Sequence, residues 1–259
     1  MRANPIARLA ALALLAGAPL AGAYTALGPT VNVEGGLPDP GRSVAGGVYS
    51  ADYGPLYLRI SGSYFPMPLL PEYARDWPPP SPPTDDRGYA TCEALGAYAF
   101  GGTAGLGPGL YCKFARGQRY YHKHIYGPTI ESWMENYVAF KYDVLAVATY
   151  RRQVEGKGTA VLWAGPGLFH FRRHGLRTYY YSDFYNPENY LEIITPLDTR
   201  LTAVAAGAGA ELRSDFARHV GVYASIRAVF RLANIRLEGW DRDEPQGNIA
   251  FTGSFFFGW

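Results

Sequence analysis

Asn248-Ile-Ala-Phe-Thr-Gly-Ser-Phe-Phe-Phe-Gly-Trp259 is the stretch on which the fold turns. Taken alternately, Ile249, Phe251, Gly253, Phe255, Phe257 and Trp259 make one face, and Asn248, Ala250, Thr252, Ser254, Phe256 and Gly258 the other. A period of two marks a β-strand. In water so apolar a face would need a covering layer, whereas lipid covers it at no structural cost. The strand therefore predicts an all-β fold: a transmembrane up-and-down antiparallel β-barrel that closes on its last segment.

The composition fits. The chain has 259 residues, 48% apolar and 18% charged, with 21 tyrosines and 31 glycines. Tyrosine suits strands and the lipid–water boundary, and glycine suits turns and close-packed walls. A barrel strand needs only about 9 to 11 residues with one apolar face, a signal to which mean hydropathy is blind. A net charge of +2 with arginines scattered among tyrosines gives no nucleic-acid footprint. At the start, Arg2 and Arg8, the apolar run from Leu9 to Ala16, and Pro19 before Ala21-Gly22-Ala23 read as a secretory signal peptide over residues 1–23.

Residues 24–53 form a Gly/Pro-rich segment of weak alternation, and residues 54–259 are assigned to the barrel. Leu56, Leu58 and Ile60 alternate with Tyr57, Arg59 and Ser61 in the first clear strand. Eight prolines between Pro66 and Arg87 then exclude a central strand. Long connections are expected at 66–87, 122–131, 175–199 and 238–247, and short ones at 101–109, 153–158 and 214–218. That alternation belongs to outer-membrane barrels, with short periplasmic turns and longer extracellular loops. The count is eight strands, or ten if the pieces before Tyr53 add a hairpin.

These residues resemble the small outer-membrane β-barrels of the OmpA and OmpX type. Val161 to Phe169, Ala205-Ala-Gly-Ala-Gly-Ala-Glu-Leu212 and the terminal strand carry the resemblance. The end is also similar to the signal read by the barrel-assembly machinery, through Thr252, Phe255, Phe257 and Trp259, with Ser254 where that signal usually has glycine. The resemblance implies residence in the bacterial outer membrane and an interior ion-pair network.

Turning each charged face inward gathers Arg59, Glu93, Lys113, Lys141, Asp143, Glu211, Arg227 and Arg231 into the lumen, five bases against three acids. In a narrow barrel such groups must pair, since an unpaired buried charge costs several kcal/mol. A structural or adhesive barrel with a plugged polar interior is the leading reading, and a porin-like channel for small solutes is the alternative. A lipid-modifying outer-membrane enzyme comes a distant third, because the His-x-Ser pattern of lipid A deacylases does not occur.

No catalytic, cofactor-binding or metal residue is assigned, and no enzyme activity or cofactor is expected. His122 and His124 lack a nearby carboxylate or cysteine, so they are a poor metal pair. His170 and His174 stand among Arg172, Arg173 and Arg177 in a cationic rim suited to lipopolysaccharide phosphates. Outer-membrane lipid and the assembly machinery are the other expected partners of a monomer. Cys92 and Cys112 face each other if the hairpin turns near residue 102, which leaves a cross-strand disulfide and two free thiols both open. Tyr98, Phe100, Tyr150, Trp163, Phe257 and Trp259, and at the other end Tyr64, Tyr120, Trp133, Phe171, Phe230 and Trp240, are expected to form two interfacial girdles.

Overall fold

A computed structural model describes residues 24–36, 40–43, 45–65, 87–126, 129–154, 157–183, 186, 188–217, 219–232 and 247–258. The signal-peptide segment, the proline-rich connection, most of the last long connection, and Trp240 and Trp259 lie outside them. The strands are β1 (Tyr24–Gly36), β2 (Pro40–Ser43), β3 (Ala45–Tyr53), β4 (Leu56–Phe65), β5 (Arg87–Tyr98) and β6 (Ala104–Tyr126), then β7 (Thr129–Val154), β8 (Gly158–Asp183), β9 (Tyr190–Ala217), β10 (Val220–Arg231) and β11 (Gly247–Gly258). Each pairs antiparallel with its neighbours, and β11 returns to β1 to close the sheet. Short β2 and β3 lie end to end along β1, offset by one residue in register, and count as one stave. The ring therefore has ten staves rather than eight. The two extra come from the Gly/Pro-rich segment, where Gly35, Gly36, Gly46 and Gly47 supply no side chains to reveal the alternation.

Closure is tight at the seam. Ala26 and Leu27 pair with Gly258 and Phe257, and Thr30 to Gly36 with Ser254 to Asn248. The ladder is interrupted at Gly28 and Pro29, where a Cβ on Gly28 would run into the backbone carbonyl of Phe255. The Ser254 hydroxyl donates to the Pro29 carbonyl there. Gly28→Val is accordingly expected to block closure, read as loss of the compact, heat-modifiable species on unboiled gels. An unchanged compact band would show that the seam tolerates a side chain.

The polarity is inverted relative to a soluble protein. Phe255 is 70% exposed and Phe257 63%, while Thr252, Ser254 and Phe256 on the opposite parity are buried. On β8 the outward positions Ala160, Leu162, Ala164, Pro166 and Leu168 are uncharged over nine residues, the length that spans a bilayer as a tilted strand. Leu212 to Val204 on β9 run alongside them.

Two of the expected long loops are strand. β6 to β9 have 23, 26, 26 and 28 residues, and their ladders run up to Tyr126↔Ile130 and Ser182↔Tyr190. Beyond the membrane band, the eleven positions from Arg173 to Asp183 add about 36 Å of strand. Above the membrane no lipid contact imposes an apolar–polar alternation, so the segment reads as loop. A projecting four-stranded sheet replaces the two loops.

Candidate functional site: a filled lumen and an extended sheet

The lumen is built in layers set by position along each strand. Nearest the short turns, Asp52 of β3 receives Arg151 Nη2 at 2.7 Å and Arg213 Nη2 at 2.5 Å. Thr159 Oγ1 donates to the same carboxylate at 2.9 Å. Arg151 also donates to the Gly54 carbonyl and the Gln153 side chain, both at 2.8 Å. Parity would have found Arg151 and Arg213, since they share the inward numbers of Asp143 and Glu211. Asp52 lies in the segment with least alternation and gave no signal.

One layer up, Arg59 is 1% exposed and holds two carboxylates. Its Nη2 lies 2.8 Å from Glu211, and its Nη1 lies 3.3 Å from Glu93 and donates to Ser61 at 2.8 Å. Tyr57 adds a hydroxyl donated to Glu211 at 2.9 Å. Glu93 also meets Lys113 at 3.8 Å and Arg227, whose Nη1 donates to Thr252 at 3.0 Å. Six strands, β4, β5, β6, β9, β10 and β11, are stitched together here.

Lys141, Asp143 and Arg231 continue the charged lumen, with Asp143 opposite Lys113 in the β6–β7 ladder. They sit toward the long connections, with Arg231 3.8 Å from Asp143 and its guanidinium 3.7 Å from the centre of the Phe169 ring. Lys141 lies over Phe171 at 5.8 Å. Still higher, Arg173 packs over Tyr137 and donates to Thr199 at 2.9 Å. Among the described residues, six buried bases, Arg59, Lys113, Arg151, Arg173, Arg213 and Arg227, stand against four buried acids, Asp52, Glu93, Asp143 and Glu211.

Large apolar side chains fill the space between the charges. Trp163 and Phe171, expected in the girdles, point inward instead, at 3% and 0% exposure. Glycines make room for them. Trp163 stacks on Tyr111 with ring centres 4.6 Å apart and lies over Gly209, where a Cβ would come within 2.6 Å of the indole. Leu145 occupies the space that a Cβ on Gly207 or Gly167 would need. Gly209→Ala should therefore overpack the lumen and lower stability by about 1–3 kcal/mol. Urea titration in detergent reads this as a lower midpoint, and an unchanged midpoint would mean that the indole is not confined.

The thiols are both free. Glu93 pairs with Lys113, which sets Cys92 opposite Phe114 and Cys112 opposite Ala94. The hairpin turns one residue later than the centre that would align the cysteines, so they are diagonal neighbours on the lipid-facing wall. Of the other expected groups, Thr252 lies in the lumen and Phe255 and Phe257 on the lipid face. Tyr98, Phe100, Tyr150 and Phe230 are exposed on the wall. His122 and His124 pair through their backbones with Met134 and Ser132. Among the described residues, no three His, Cys, Asp or Glu side chains cluster as metal ligands.

No family model matches the chain, and neither does any characterised relative. Among solved structures, Ail of Yersinia pestis, in complex with the heparin analogue sucrose octasulfate, is 8% identical at a TM-score of 0.33, covering 92% of this chain and 97% of its own. Neisserial surface protein A is 8% identical at 0.28, with 92% and 95% covered. An anion-selective porin from Comamonas acidovorans is 9% identical at 0.24, with 92% and 98% covered. Likeness at these scores adds nothing to what the ring itself displays. A closed, even-numbered antiparallel sheet with an apolar band outside and ion pairs inside is built to span lipid by strands alone. The chain is an integral membrane β-barrel of ten antiparallel staves.

Proposed function

We propose that this barrel is a plugged anchor with a structural and adhesive role, holding the β6–β9 sheet above the membrane as its contact surface. The observation that carries the proposal is the length of those four strands, more than twice what the membrane requires. Exposed Tyr190, Leu191, Ile193 and Ile194 give the sheet apolar contact area. The charge layers and inward aromatics serve as the plug. Thr252, Phe255, Phe257 and Trp259 serve as the assembly signal, and outer-leaflet phosphates pair with the outward arginines.

Replacing residues 177–195 by Asn-Gly would join Leu176 to Pro196, which already face each other, through a two-residue hairpin. Expressing cells should then lose about tenfold or more in attachment to a serum-protein-coated surface, while the purified barrel keeps its heat-modifiable band. Undiminished attachment by the shortened chain, at equal surface level, would refute the adhesive role. A porin-like conduit is the second reading. It is favoured by the ten staves, which enclose a wider lumen than eight, and by the excess of buried bases.

A further inference from the structure

Three arginines share one register row on the outer wall. Arg116 of β6 pairs with Phe140 of β7, Phe140 with Arg172 of β8, and Arg172 with Arg200 of β9. All three follow the outward parity of their strands and lie just past the nine-residue apolar band. Arg116 packs over the Phe140 ring at 5.5 Å, which fixes its direction along the wall. Between the other two stands Asp198, 3.6 Å from Arg172 Nε and 3.2 Å from Arg200 Nη2. A hydrogen bond from Arg200 holds the Asp198 carboxyl below the ordinary carboxylate range, with the Arg200 and Arg172 charges adding to it against partial desolvation. Asp198 faces two of the three guanidiniums, so the row keeps a net positive charge. Below it come Tyr142, His170 and Thr202 in the next outward row, and beneath them the apolar wall, with Val144, Leu168 and Val204 exposed.

We propose that Arg116, Arg172 and Arg200 form a binding site for the phosphate of an outer-leaflet glycolipid, with its acyl chains lying on the apolar wall beneath. The proposal rests on the lipid-embedded orientation given above and assigns it a ligand and residues. Guanidinium forks match phosphate oxygens in geometry and charge, and a cation at the membrane boundary adds about 1 kcal/mol per residue, roughly fivefold in affinity. Asp198 competes with the phosphate for two of the arginines, so its removal should strengthen binding.

The test uses the full-length barrel in phosphatidylcholine nanodiscs, titrated with bisphosphorylated lipid A or with its dephosphorylated form, and bound lipid counted by native mass spectrometry. Retention of the phosphorylated lipid should fall about 25-fold in the Arg172→Gln/Arg200→Gln double variant and rise up to about fivefold in Asp198→Asn. The dephosphorylated form should be retained no better than phosphatidylcholine. Equal retention of both forms, or an unchanged affinity in the double variant with an intact heat-modifiable band, would overturn the site. Complete displacement by 100 mM inorganic phosphate would assign the row to the free anion and overturn the lipid. Attachment of cells by the sheet is scored separately, so failure of the adhesive role and failure of this site give different results.

Discussion

Asp52→Ala should lower the unfolding free energy by about 3–5 kcal/mol, the cost of leaving buried guanidinium groups without their anion. Asp52 is the shared partner of Arg151 and Arg213, and Thr159 donates to it as well. All four residues are buried at the end of the lumen nearest the short turns, where little water is available to replace the carboxylate. Urea unfolding in detergent micelles, followed by tryptophan fluorescence, measures the loss. The charge origin of the effect is separable from packing. Adding Arg151→Met and Arg213→Met to Asp52→Ala should recover much of the stability, because an apolar replacement of a buried ion pair is often neutral. A loss below about 1 kcal/mol in the single variant would mean that the cluster is hydrated. No recovery in the triple variant would mean that its shape, not its charge, is what matters.

Trp163→Ala should cost a similar amount, about 3–5 kcal/mol, for a different reason. The indole stacks on Tyr111 and covers Gly209, so nothing on β9 can move into the space it leaves. The cavity would lie between the Asp52 and Glu93 layers below and the Asp143 layer above. Trp163→Phe, which retains most of the volume, should cost appreciably less. Equal losses for Phe and Ala would point to a requirement for the indole itself rather than for filled volume.

Much of this architecture is legible in the chain, and the illegible parts share a physical cause. Alternation is readable wherever one face meets lipid and the other a charged lumen, as in Phe251, Phe255 and Phe257 against Thr252 and Ser254. The same parity places Arg59, Glu93, Lys113, Glu211 and Arg227 on inward positions. It fails where glycine removes the contrast, which hid the β1–β3 hairpin and the Asp52 it carries. It also fails above the membrane, where Leu191, Glu192, Ile193 and Ile194 are exposed in succession and strand looks like loop. Parity cannot report volume either. Trp163 looks like a girdle residue until Gly209 on the adjoining strand is seen to leave space for its indole, and Phe171 turns inward as well. Register escapes it as well, because shifting the turn centre by one residue takes Cys92 and Cys112 from opposite to diagonal while leaving both on the same face.

The proposed plug rests on the inward side chains of the ten staves. Tyr57, Tyr111, Phe169, Phe171 and Phe256 are fully buried in the lumen alongside the ion pairs. Single-barrel recording in a planar bilayer examines this directly. A plugged lumen gives a quiet baseline with no sustained steps at moderate voltage, whereas discrete, reproducible steps from the unmodified chain would show an open conduit and contradict the plug.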